Sequence, residues 1–152
     1  MTAQNSGQVH DFGDQLGRVP AHRHPLGGGW VADTARADAT AYVGPNAAVY
    51  GQAAAIATSR IEDFARISGR ATVAQNAIVR DNAQVFGDSL VTADAVVSEG
   101  AWVFERAHVT SRARISGAAN VQGAAIVTDT ARVGGQVTLR GNTRIDGETV
   151  RG

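Results

Sequence analysis

The 152-residue chain contains no cysteine and no lysine. Without cysteine it can form neither a disulfide bond nor a thiolate metal site, and cysteine usage does not indicate a redox compartment. No apolar run approaches the roughly 18 residues that a membrane-spanning helix needs, and residues 1–30 lack the charged start and apolar middle of a signal peptide. We therefore expect a soluble, cytoplasmic protein without a membrane partner.

The net charge at neutral pH is zero, because 14 acidic residues balance 14 basic residues. All of the basic residues are arginine. A chain without an overall positive field has little long-range attraction for nucleic acid, so we expect no nucleic-acid partner. A hydrophobic fraction of 43% and a charged fraction of 18% are typical of a globular protein. The length corresponds to one domain.

The sequence is dominated by a period of six residues. Every sixth residue from Val31 to Ile145 is aliphatic, and four residues after each of them lies a second column of small or β-branched residues, from Ala35 to Thr149. A helix places apolar residues three and four apart and an ordinary strand every second residue, so neither explains this period. We interpret each unit as a short strand with one inward side chain, followed by a bend with a small inward side chain.

Three such units would close one triangular coil. Stacking the coils pairs each strand with its counterpart three units later, about 4.8 Å away. Twenty units predict nearly seven coils. Glycine and aspartate recur two residues after the aliphatic position, for example at Gly51, Asp63, Asp81 and Gly87, where the bend needs a permissive backbone.

The repeats VYGQAA (49–54), VFGDSL (85–90) and ISGAAN (115–120) resemble those of the hexapeptide-repeat family. The resemblance implies an all-β fold, a left-handed parallel β-helix over residues 31–152, and a homo-oligomer, typically a trimer. Residues 1–30 lie outside the period and are expected to form a flexible start and an N-terminal cap. The chain resembles uncharacterised bacterial and phage members more than the enzymes of the family.

Apolar side chains outside the predicted core suggest contacts between copies of the chain, because exposed apolar patches usually mark interfaces. The candidate interface residues are Tyr50, Phe86, Trp102 and Phe104 on the first face of the coil and Leu90, Thr110 and Ile126 on the second face. We therefore expect a non-catalytic, homo-oligomeric scaffold or interaction protein. It would need no cofactor and would present its faces and N-terminal loop to an unknown protein or small-molecule partner.

An enzymatic alternative depends on one imidazole. Many members of the family are acyltransferases that use a histidine near a subunit boundary as general base, with acyl-CoA as a substrate. His108 is the one histidine of the repeats and directly precedes the inward Val109, so it would point outward. The family's enzymes usually carry loop insertions that build the substrate pocket, whereas these repeats are uninterrupted. The scaffold interpretation is therefore favoured.

Two further alternatives involve ligands. The predicted third face carries a ladder of guanidinium groups, at Arg60, Arg80, Arg114 and Arg132. Arginine makes bidentate contacts with anions, so this ladder could bind an anionic small molecule or nucleotide at clefts between subunits. His22 and His24 form an HxH pair that could bind a metal, in an arrangement that resembles the iron-binding HxH of phage tail-spike tips.

Overall fold

The computed structural model describes residues 7–152, so the first six residues of the predicted flexible start lie outside it. These residues form 23 short strands and no helix. The first twelve strands are β1 (Val9–Asp11), β2 (Arg18–Arg23), β3 (Trp30–Ala32), β4 (Arg36–Ala37), β5 (Tyr42–Val43), β6 (Ala48–Val49), β7 (Ala54–Ala55), β8 (Arg60–Ile61), β9 (Arg66–Ile67), β10 (Thr72–Val73), β11 (Ile78–Val79) and β12 (Gln84–Val85). The remaining strands are β13 (Leu90–Val91), β14 (Val96–Val97), β15 (Trp102–Val103), β16 (His108–Val109), β17 (Arg114–Ile115), β18 (Asn120–Val121), β19 (Ile126–Thr128), β20 (Arg132–Gly134), β21 (Thr138–Leu139), β22 (Arg144–Asp146) and β23 (Thr149–Arg151).

The strands are arranged in three sheets, each of which forms one face of a coil. The first face runs from β3 through every third strand to β21, the second from β4 to β22, and the third from β5 to β23. Neighbouring strands within a face are parallel, and in the central coils their partners lie three repeat units apart, as Val49 with Ile67 and Val85 with Val103. About seven coils therefore stack into a β-solenoid, which confirms the predicted all-β architecture.

The core is the predicted column of inward aliphatic residues. From Val43 to Val133 these side chains are fully or almost fully buried, and the small residues of the second column are buried with them. Full burial of each valine or isoleucine contributes about 1.5–3 kcal/mol. Two serines occupy the small column: Ser89 Oγ donates to the Phe86 carbonyl at 2.8 Å, whereas Ser59 Oγ is buried without a partner in the described chain.

From Gly51 onward, each corner of the coil turns at the second residue after the inward position, where φ is positive. The non-glycine residues with a positive φ at this position are Ala57, Asp63, Gln75, Asp81, Ala93, Glu99, Glu105, Ser111 and Asp129. Such a conformation costs an L-residue roughly 1–2 kcal/mol. Carboxylates offset part of this cost, because Asp63 accepts the amide proton of Asp81 (3.2 Å), Asp81 that of Glu99 (2.9 Å) and Glu99 that of Gly117 (3.2 Å).

Paired strands along each face are separated by three repeat units, and we call this spacing a step. The last step of the solenoid, from β20 to β23, is one residue shorter than the others. β20 pairs with β23 through Val133 with Val150 and Gly134 with Arg151, whereas a step of three full units would pair Val133 with Arg151. A strict six-residue count places Thr149 in the small inward column, and that prediction is wrong because Thr149 is exposed. Val150 packs against the core instead. The shift supplies an aliphatic group to the core and keeps the Arg151 guanidinium out of it, which avoids burying a charge.

The segment before the coils forms a hairpin followed by a close crossing. β1 and β2 are antiparallel, and β2 pairs antiparallel with β3, so the hairpin extends the first face. Between β2 and β3 the chain crosses to the third face, where the Val43 amide donates to the Leu26 carbonyl and the Gly29 amide donates to the Val43 carbonyl, both at 3.0 Å. A Cβ at Gly29 would overlap the Gly44 carbonyl oxygen. Glycine at this position therefore permits the crossing.

Candidate functional site

The second face carries a band of uncharged side chains with only His108 as a titratable group. Its outward residues over five successive strands are Ala54, Ile56, Thr72, Ala74, Leu90, Thr92, His108, Thr110, Ile126 and Thr128. An arginine–aspartate pair closes the band at each end, with Arg36 Nη2 3.0 Å from Asp38 Oδ1 and Arg144 Nε 2.8 Å from Asp146 Oδ2. The face is therefore uncharged in the middle and ionic at both ends.

The two end pairs have the same order along the strand. In each, arginine precedes the inward residue and aspartate follows it. The Ala57 amide donates to Asp38 Oδ2 at 2.8 Å, and this bond together with Arg36 holds the pKa of Asp38 below its ordinary value. At the other end Asp146 raises the pKa of Arg144. Both shifts favour the charged forms of Asp38 and Arg144.

His108 lies within this uncharged band. It is exposed, and its neighbours in register on the adjacent strands are Leu90 and Ile126. Over residues 7–152 no side-chain hydrogen bond or ion pair orients the imidazole. A catalytic base is usually oriented by a third group. The structure places the predicted base on a flat surface among aliphatic and hydroxyl side chains.

Three of the predicted interface aromatics form a cluster on the first face. The rings of Phe86 and Phe104 stack with centroids 4.9 Å apart, and the Trp102 ring lies edge-on to them at 5.7 and 6.3 Å. Aromatic pairs of this kind contribute about 0.5–1.5 kcal/mol beyond the area they bury. Trp102 remains 41% exposed. We call these three residues the aromatic cluster.

Tyr50, predicted to share this surface, lies instead in a contact within the chain. Its ring stacks on Phe12 of the N-terminal hairpin at 4.8 Å, and only 9% of the residue is exposed. Arg66 lies over the Tyr50 ring at 4.9 Å, donates to its hydroxyl at 3.0 Å and also donates to the Phe12 carbonyl. The hairpin of the same chain therefore occupies the surface that was assigned to a second copy. Sequence reasoning missed Phe12, whose signal was an aromatic residue in a polar segment.

The predicted arginine ladder of the third face divides into two parts. Arg60 pairs with Glu62 at 2.5 Å, and Arg80 lies 4.0 Å from Asp81. Arg114 and Arg132 are in register on β17 and β20 and form no ion pair within the described residues. They line a cavity of about 180 Å³ together with Val96, Ser98, Ser116, Val133, Gly134 and Arg151. Sequence reasoning missed Arg151, because the short last step changes its place.

The HxH pair has separate partners for its two rings. His22 Nδ1 lies 2.8 Å from Asp33 Oδ1, and His24 Nε2 lies 2.8 Å from the Ala41 carbonyl oxygen. His24 is buried. Among the residues that the structure describes, no group of three or more histidine, cysteine, aspartate or glutamate side chains is placed to hold a metal ion.

Comparison with protein-family models, curated proteins and solved structures finds no match to this chain. The architecture defines its class as a parallel β-solenoid. Nothing in residues 7–152 forms a helix with the length and apolar character needed to cross a membrane. The surfaces of its three faces, which carry the aromatic cluster, the uncharged band and the arginine ladder, are therefore the basis for proposing a function.

Proposed function

We propose that the chain is a left-handed hexapeptide-repeat β-helix that acts as a non-catalytic scaffold. It pairs with a second copy through the second face and offers the aromatic cluster to a partner protein. The observation that supports this proposal is the uncharged band of the second face, closed at both ends by an arginine–aspartate pair. Two copies of this face are complementary to each other when they pack in one relative orientation.

The charges at the two ends favour parallel packing. When two copies are related by a twofold axis parallel to the solenoid, each column of outward residues faces the other column of its partner. Arg36 then lies opposite Asp38 of the partner subunit, and Arg144 opposite Asp146 of the partner subunit. An antiparallel pair would instead set Arg36 against Arg144 of the partner subunit. Opposed like charges at an interface are unfavourable, so charge selects the parallel pair.

The uncharged part of the face fits the same orientation. Each large side chain of one column meets a smaller one of the other, such as Leu90 against Thr92 of the partner subunit and Ile126 against Thr128 of the partner subunit. Large residues opposite small ones allow two flat sheets to approach closely. The resemblance to hexapeptide-repeat proteins implies a trimer, but a threefold ring joins two different surfaces. The matched columns therefore favour a pair of chains.

Sedimentation tests this proposal directly. Wild-type protein at tens of micromolar is expected at twice the chain mass of 15.7 kDa, and Ile126→Arg is expected to give monomers. Ile78→Arg is the matched control, because Ile78 is also half-buried and holds the same place in its repeat on the third face. A wild-type monomer contradicts the proposal. Dissociation by Ile78→Arg but not by Ile126→Arg would show that the chains pair through the third face and not the second.

Cross-linking tests the orientation, and the absence of cysteine makes single cysteines unambiguous. Packed sheets lie about 10 Å apart, beyond the reach of a disulfide, so a short bis-maleimide is the appropriate reagent. Chains carrying Leu90→Cys mixed with chains carrying Thr92→Cys should form a mixed cross-link in the parallel pair. Cross-linking of Leu90→Cys chains to each other, without the mixed product, would indicate antiparallel packing.

Acyl transfer by His108 has less support, because no group of the described chain orients its imidazole. Under this alternative the protein would turn over acyl-CoA, and His108→Ala would abolish the activity without affecting the fold. Turnover that depends on His108 would replace the scaffold proposal with an enzyme whose site lies on the second face.

A further inference from the structure

We propose that the carboxyl-terminal end of the third face binds a small tetrahedral oxyanion of the phosphate class. The site is the cavity of about 180 Å³ whose lining includes Arg114, Arg132 and Arg151 together with Ser98 and Ser116. It is independent of the second face, on which self-association is proposed.

The positive charge of this cavity has no counterion among the described residues. Across residues 7–152, none of the three guanidinium groups forms an ion pair or a side-chain hydrogen bond. Arg114 and Arg132 lie side by side on adjacent strands, where like charges destabilise a sheet. Two carboxylates close in sequence to the lining residues are engaged elsewhere: Glu99, next to Ser98, accepts the Gly117 amide at 3.2 Å, and Glu148, three residues before Arg151, accepts the Asp146 amide at 2.6 Å. An anion in the cavity would relieve the repulsion.

Ser98 supplies a second, independent observation. It lines the cavity and is only 8% exposed, yet its hydroxyl makes no hydrogen bond to any residue in the described range. Ser116 follows it on the next strand of the same column. Both hydroxyls are therefore available to donate to an oxygen of a bound anion.

The backbone keeps the cavity open and completes it. Gly134 lines it, and a Cβ at this position would come within 3.2 Å of Ser116 Oγ. The shortened last step places Arg151 in register with Gly134. A regular step of three full units would place Gly152 there instead. The departure from the repeat thus brings a third guanidinium group to the site.

The donors indicate the class of ligand. Planar guanidinium groups match the paired oxygens of phosphate, and three of them with two hydroxyls exceed what the two oxygens of a carboxylate can accept. A cavity of about 180 Å³ is smaller than the roughly 300–1,000 Å³ of pockets that enclose drug-sized ligands. The site therefore fits inorganic phosphate or the terminal phosphate group of a larger molecule.

Isothermal titration of the full chain with inorganic phosphate at low ionic strength tests the site. We expect saturable binding, which Arg132→Gln weakens at least about tenfold, since it removes a charged hydrogen-bond donor. Gly134→Ala should weaken binding without changing the net charge. Arg60→Gln removes the same charge from the paired arginine on the same face and should leave the affinity unchanged. Sulfate should compete, and acetate should not.

Several outcomes would overturn the proposal. Absence of saturable binding at millimolar phosphate would exclude the site. Equal weakening by Arg60→Gln and Arg132→Gln would show general attraction to a charged surface. Equally strong binding of acetate would contradict the ligand class. Circular dichroism of each variant verifies the fold, and Ser98→Ala, a nearly isosteric change expected to weaken binding, provides a test that does not alter charge.

Discussion

The ring of Phe12 lies parallel to that of Tyr50, with centroids 4.8 Å apart and an interplanar angle of 12°. This stack, with the Arg66 guanidinium bonded to the Phe12 carbonyl and the Tyr50 hydroxyl, attaches the N-terminal hairpin to the outer surface of the first face. These side-chain contacts add to the backbone pairing of β2 with β3, which also joins the hairpin to the coils.

Phe12→Ala is therefore expected to loosen the hairpin without unfolding the solenoid. Truncating a buried phenylalanine typically costs about 3–5 kcal/mol, and in a repeat architecture the loss stays near the altered unit. Amide hydrogen exchange in β1 and β2 should increase sharply, while exchange in β12 and β15 should stay slow. Leu16→Ala is the control, because Leu16 is 73% exposed. Faster exchange along the whole chain would contradict a local role.

Val85→Asp is expected to prevent stable folding. Val85 is fully buried in the middle of the stack, so aspartate would place an unpaired charge in the core, at a cost above about 4 kcal/mol. Gln84→Glu alters the adjacent outward residue and should be nearly silent. Circular dichroism and thermal melting distinguish the two. A native melting temperature for Val85→Asp would show that the inward register is incorrect.

Gly29→Ala should destabilise the N-terminal crossing more than Gly28→Ala. A methyl group at Gly29 overlaps the Gly44 carbonyl oxygen, whereas one at Gly28 meets no atom within 4 Å. Gly28→Ala carries only the penalty of its positive φ, about 1–2 kcal/mol. Denaturant unfolding compares the two variants. Equal losses of stability would mean that the crossing is not closely packed against the first coil.

The contact between the hairpin and the first coil should weaken in acid. His10 stacks on Trp30 at 4.5 Å, and burial, followed by the nearby Arg23 and Arg66 charges and opposed by Asp11, holds the pKa of His10 below its ordinary value. The unfolded hairpin therefore binds the proton more readily, and stability is lost as the pH falls below about 6.5.

Trp30 fluorescence between pH 7.5 and 5, in a Trp102→Phe background that removes the other tryptophan, monitors this transition. We expect a change of emission in that window, and we expect His10→Gln to remove most of it. A transition of the same size and midpoint in His10→Gln would assign it to another group.

The sequence was sufficient for the regular parts of the structure and insufficient where the chain departs from the period. Val85 could be assigned to the core because every coil imposes the same inward position. The partner of Tyr50 could not be predicted, since Phe12 lies in a segment without periodicity and nothing in the repeats specifies what covers them. Arg151 was missed because a strict count assumes steps of equal length, although Val150 beside it was the better residue for the core.

The parallel pairing of strands three repeat units apart sets a unit of length for this molecule. Removal of one full coil, such as residues 73–90, would leave every remaining strand on its original face and give a shorter rod with the same three surfaces. Removal of a single unit of six would rotate everything beyond the cut by one third of a turn, so that the columns of different faces would merge. The rod can therefore lengthen or shorten by whole coils during evolution, while insertions and deletions of other sizes scramble its surfaces.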